Sequence, residues 1–146
     1  MSIDVTSEIE IERPPGIVSV YACDPTNAPD WYVNIKSVEW KSEPVVHVGA
    51  RVAFVAEFLG KRLEYTYEIV EFEPGEKLVM RTAEGPFPME TIYTFEETRD
   101  GCTHMTLRNH GELSGAAKLM GPMIGTAMKA ANAKDLAKLK AILEGH

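Results

Sequence analysis

The chain has 146 residues, 45% hydrophobic and 25% charged, enough to bury one core without a disulfide framework or a structural metal. A formal net charge of -7, a sequence pI of about 5.1 and fifteen scattered lysines and arginines argue against a polyphosphate partner, so no nucleic acid is expected. No uncharged apolar run reaches the roughly 18 residues of a membrane span, and a start carrying Asp4, Glu8, Glu10 and Glu12 is unlike a secretory signal; a cytoplasmic protein folded as one domain over residues 1–146 is expected.

Residues 3–12 alternate, with Ile3, Val5, Ile9 and Ile11 on one face, which predicts a strand with one wet side. Pro14-Pro15 then opens a short helix carrying Ile17, Val18 and Tyr21, and Asp24-Pro25 stops it. A second short helix is predicted around Asp30, Trp31 and Tyr32. From Ile35 the period returns to two, and turn signals at Gly60, Pro74-Gly75, Gly85-Pro86-Phe87-Pro88 and Asp100-Gly101 divide strands over 35–43, 50–59, 62–72, 77–83, 89–97 and 102–112. After Ser114, a suitable N-cap, the pattern is helical to Leu143, restarting at Gly121-Pro122 and carrying Ile124, Met128, Leu136, Leu139 and Leu143 as one stripe. The sum is an α+β fold: a seven-stranded curved antiparallel sheet, two short helices and one long C-terminal helix.

Such a sheet must cover its apolar face, and only the last helix is long enough. A twisted sheet cannot press flat on a straight helix, so a concave apolar space is expected between them. Alternation points Val52, Phe54, Ala56 and Phe58 inward, then Leu63, Tyr65, Tyr67 and Ile69, then Met89, Thr91, Tyr93 and Phe95, then Met105, Leu107 and Asn109. Trp31, Phe54, Tyr65, Tyr67, Met89, Tyr93, Met105, Asn109, Met123 and Met128 are the candidate ligand-binding residues, and Met120 is assigned to the same interior. Three facing phenols imply a polar pocket or ordered water, and the flexible thioethers suit a ligand of variable shape. Trp31 and Phe87 either rim the entrance or plug the core.

No catalytic signature is present. His104 and His110 lie six residues apart on one strand, roughly 20 Å, too far to share a metal. Cys23 and Cys102 are read as reduced, small core residues without a basic neighbour. No Gly-rich phosphate loop follows a strand, so neither a metal nor another cofactor is expected. Tyr93, Asn109 and Arg81 are the weak catalytic candidates, able to polarise a carbonyl if they converge; Arg81 shares a face with Val79 opposite Leu78 and Met80, and pattern alone leaves the inward pair open.

Several segments together resemble the bacterial, polyketide cyclase or dehydrase-like branch of the SRPBCC superfamily, which also includes START lipid-transfer domains and plant pollen-allergen-like proteins. They are Arg13-Pro14-Pro15 with Val18 and Tyr21, Asp24-Pro25, Trp31, Val48-Gly49-Ala50-Arg51, Glu71-Phe72-Glu73-Pro74-Gly75, and the ending from Asn132 to Glu144. The resemblance covers nearly the whole chain and implies a helix-grip fold in the order β-α-α-β6-α with a ligand cavity. The terminal helix lacks the Gly-Trp start of the Hsp90-activator-like branch. The expected function is binding of a hydrophobic small molecule (a lipid, polyketide or isoprenoid-like compound) as carrier or sensor, with a cyclase or dehydratase-like enzyme as the alternative. A homodimer is left open.

Overall fold

The computed structural model describes residues 2–86, 88–113 and 115–145. Along the chain it contains β1 (Ser2–Ile11), α1 (Pro15–Cys23), a 3-10 turn (Pro25–Asn27), α2 (Ala28–Trp31), β2 (Ile35–Trp40), β3 (Arg51–Phe58), β4 (Lys61–Glu73), β5 (Lys77–Glu84), β6 (Met89–Glu97), β7 (Thr103–Glu112), a second 3-10 turn (Gly115–Met120) and α3 (Gly121–Glu144). This is the α+β helix-grip architecture, in the order read from periodicity. The strands form one antiparallel sheet ordered β1-β7-β6-β5-β4-β3-β2, so β2 to β7 meander and β1 returns to lie beside β7. Register shifts in β2/β3 and twice in β4/β5 are the irregularities by which such a sheet bends.

Turn chemistry sets the hairpins. Leu59 and Gly60 both have positive φ (52° and 76°) and join β3 to β4 directly from Phe58 to Lys61, the two-residue turn whose twist matches the strands. Pro74-Gly75 behaves as its residues dictate: Gly75 takes φ 79° and the Glu76 N–H donates to the Glu73 carbonyl at 2.9 Å.

The helix α3 covers the concave face, with Ile124, Leu136 and Leu139 buried and Pro122 in its first turn, where a missing N–H costs nothing. It also lies along the edge strand β1. Lys129 Nζ donates to the Thr6 carbonyl (3.1 Å), Lys140 Nζ to the Glu10 carbonyl (2.7 Å), and the Glu12 N–H to Glu144 Oε2 (2.8 Å). Among the described residues no helix is long and apolar enough to cross a membrane.

Four local expectations are corrected. α1 buries Val18, Ser19, Ala22 and Cys23 while Ile17 is half-exposed, because its small-residue face is the one that packs inward. Tyr32 caps the end of α2 instead of continuing it, and β2 stops at Trp40 ahead of Pro44. Cys102 is only half-buried, in the β6–β7 hairpin, whereas Cys23 is a core residue; both are free thiols. Ser114 and Phe87 lie outside the described residues.

Candidate functional site

A cavity of about 160 Å³ lies between the concave sheet face and α3, bounded also by α1 and α2. Its volume matches that of an apolar cavity of about 150 Å³ able to hold benzene, so it exceeds a packing defect yet is small for a metabolite site. The strands supply an aromatic wall: Phe54 stacks on Tyr65 with ring centroids 5.4 Å apart, and Tyr65 meets Tyr67 at 5.0 Å. Tyr65 and Tyr67 keep accessible surface although they stand on the concave face, because that surface borders the cavity.

The polar groups are arranged in short chains. Thr91 gives its single hydroxyl proton to Asn109 Oδ1 (2.6 Å), so at the 2.9 Å contact between Tyr67 and Thr91 the phenol donates. The Tyr32 and Tyr93 hydroxyls lie 2.5 Å apart. One donates to the other, which leaves one phenolic proton free for a guest or a water. Burial pushes Tyr32, Tyr65, Tyr67 and Tyr93 above the ordinary phenol value, so these groups are neutral donors at physiological pH.

The helix contributes the charged component. Asp135 is 2% exposed, borders the cavity, and accepts the Val33 N–H on Oδ1 at 2.8 Å. Burial raises its carboxyl to about 6, against the lowering effects of the Val33 hydrogen bond and of Lys138. One turn earlier on the same face, Asn132 is 4% exposed, makes no side-chain hydrogen bond among the described residues, and has its Nδ2 enclosed without a partner. Cys23 also lines the cavity, but burial pushes its thiol up to about 12, leaving negligible thiolate at neutral pH.

Of the residues singled out from sequence, Phe54, Tyr65, Tyr67, Met89, Tyr93, Asn109 and Met128 border the cavity. Trp31 and Met105 do not; both are fully buried core residues, so Trp31 plugs the core and Met105 packs among Ile9 and Phe95 on neighbouring strands. Met123 is 57% exposed and Met120 44%, because both stand on the outer side of the chain as α3 begins. Arg81 is on the outer face, where Nε and Nη2 both donate to Glu90 Oε2 (3.0 and 2.7 Å), while Leu78 and Met80 take the inward positions. It cannot act on a cavity guest. His110 pairs with the other oxygen of Glu90 (3.0 Å) and His104 with Glu8 (3.3 Å), both away from the cavity.

Tyr32, Asn132 and Asp135 are among the cavity residues that pattern reading missed. A signal existed for two of them: the α3 stripe runs 124, 128, 136, 139, and the positions that would complete it at 132 and 135 hold Asn and Asp. A polar residue in an apolar stripe is the informative exception.

Residues 2–144 match the family described as polyketide cyclase / dehydrase and lipid transport. No curated protein matches the sequence. Among solved structures, TTHA0849 from Thermus thermophilus is similar with a TM-score of 0.84 at 20% identity, covering 97% of each chain. The Zhui aromatase/cyclase from Streptomyces sp. R1128 gives 0.83 at 15% identity over 99% of this chain and 94% of that one. A START superfamily protein from Mycobacterium smegmatis gives 0.83 at 12% identity over 97% of both. At such identities the likeness is one of fold.

Proposed function

This chain belongs to the polyketide cyclase / dehydrase and lipid transport family of the START/SRPBCC superfamily, and on that footing we propose that it carries or senses a small hydrophobic molecule held between the sheet and α3. The cavity of about 160 Å³, walled by Phe54, Tyr65, Met80, Met89 and Met128, is the observation that carries this reading. Its size favours the compact end of the lipid, polyketide and isoprenoid-like range, a single ring or a short branched chain, over an extended acyl tail. The methionines give the wall room to adjust.

Native mass spectrometry of the purified protein tests the proposal. A co-purifying small molecule that is lost in Met128→Trp, a substitution that fills the cavity, is the expected result. An empty protein indifferent to a broad panel of apolar metabolites overturns it.

A second reading, a cyclase or dehydratase-like enzyme, draws support from one observation. A carboxyl raised to about 6 shares the cavity with phenols that remain protonated, and such a pair can exchange protons with a bound carbonyl compound near neutral pH. In that reading Asp135 is the base and the Tyr32–Tyr93 pair the donor. Turnover that fails in Asp135→Asn while binding persists separates it from the carrier.

A further inference from the structure

Asp135 and Asn132 are buried polar side chains that α3 adds to a cavity wall whose sheet side carries the hydrogen-bonded pair Thr91 and Asn109. Burying a carboxylate and an amide costs free energy unless their hydrogen-bonding capacity is used. Here it is used only in part. Asp135 Oδ1 takes the Val33 N–H, but no donor to Oδ2 is found among the described residues. Asn132 uses neither end of its amide, and its Nδ2 is enclosed without an acceptor. The two residues are separated by three positions on α3, so they present their polar groups on one face. Rotation of the Asn132 amide is soft, so the side chain can offer the cavity a donor.

Resting on the reading of the cavity as a binding site, we infer that Asn132 and Asp135 form a recognition point for a ligand hydroxyl, and that the cavity selects compact phenols or ring-bearing alcohols. A hydroxyl accepts from the Asn132 amide and donates to Asp135, meeting both needs with one atom. A hydrocarbon of the same shape leaves both groups unpaired. A ketone satisfies only the amide N–H, an ammonium group leaves that N–H without an acceptor, and a ligand carboxylate is repelled by Asp135 once that residue is ionised. The phenols that face the same space, Tyr32, Tyr65, Tyr67 and Tyr93, are uncharged and add no competing anion. Lys138, on the same helix, is the cation whose field reaches Asp135.

The test is a titration of the full chain with para-cresol, para-xylene and para-toluate, followed by the NMR signals of the methionine methyl groups. Met80, Met89 and Met128 border the cavity and report its occupancy, while exposed Met123 serves as the internal control. Para-cresol is expected to bind at least about tenfold more tightly than the isosteric para-xylene, and para-toluate more weakly than either, the margin typical of a hydrogen bond to a charged group. Asn132→Leu is expected to abolish the preference for cresol while xylene still binds. Equal affinity for cresol and xylene, or a preference for toluate, overturns the hydroxyl inference and leaves the cavity reading standing. Failure of all three compounds to shift Met80, Met89 and Met128 in the wild-type protein overturns both. The wild-type series decides the matter even if the leucine variant does not fold.

Discussion

The hydroxyl groups of Tyr32 and Tyr93 meet at 2.5 Å across 61 residues of chain, tying the end of α2 to the middle of β6. Either phenylalanine substitution strips one buried hydroxyl of its partner and costs about 1 kcal/mol, a typical net value for such a bond. The double substitution removes both hydroxyls together, so its cost falls short of the sum of the singles by about 1 kcal/mol. Urea unfolding of the four proteins measures this, and strict additivity would show that the pair is not coupled.

Asp135 makes stability depend on pH in an identifiable direction. Its carboxyl is raised by burial from an ordinary 3.8 to about 6, so between those values the folded chain holds more protons than the unfolded one. Stability therefore falls as pH rises through that window and is level above it. A shift of that size corresponds to at most about 3 kcal/mol lost at neutral pH. Asp135→Asn keeps an acceptor for the Val33 N–H and removes the charge. It should be more stable than the parent at pH 7 by up to about that amount and equal to it near pH 3. The difference between the two pH–stability curves isolates this group from Asp4 and Glu90, whose shifts are in the opposite direction.

Leu59 holds a positive φ of 52° in a two-residue hairpin turn while remaining 48% exposed. A branched side chain pays for that conformation and gains little burial in return. Leu59→Asn or Leu59→Gly should raise stability by about 0.5–1 kcal/mol, seen as a higher denaturant midpoint with an unchanged slope.

Arg81 is a negative control for the cavity. With its side chain 60% exposed and paired to Glu90 on the outer face, Arg81→Ala should cost less than about 1 kcal/mol of stability. Affinity for para-cresol should stay within about twofold of the parent, since no Arg81 contact reaches the guest. A larger loss of affinity would mean that the outer face communicates with the cavity.

Strand faces were legible because alternation with one buried side leaves a single register: Val52, Phe54 and Ala56 on β3 and Met89, Thr91, Tyr93 and Phe95 on β6 are inward as read. β5 was not, because Leu78, Val79 and Met80 are all apolar and all buried, which erases the alternation that would have placed Arg81. Depth along a strand was equally hidden. Met105 and Asn109 share a face of β7, but Met105 sits in the closed core, and only Asn109 reaches the cavity. Tyr32 belongs to no periodic segment, so nothing in its neighbours marks it. Asn132 and Asp135 were visible only as interruptions, and an interruption in a stripe has a location but no stated purpose until the opposing sheet is in place.

The lysines that α3 lays on β1 have a bearing on self-association. Strand edges invite another chain to add itself, and here one of the two is already occupied, its Thr6 and Glu10 carbonyls taken by Lys129 and Lys140. Continuation of the sheet into a second molecule is therefore left to β2, a six-residue strand with a register shift at its start and Lys36 and Glu39 exposed along it. Short, irregular and charged, that rim discourages end-to-end polymerisation.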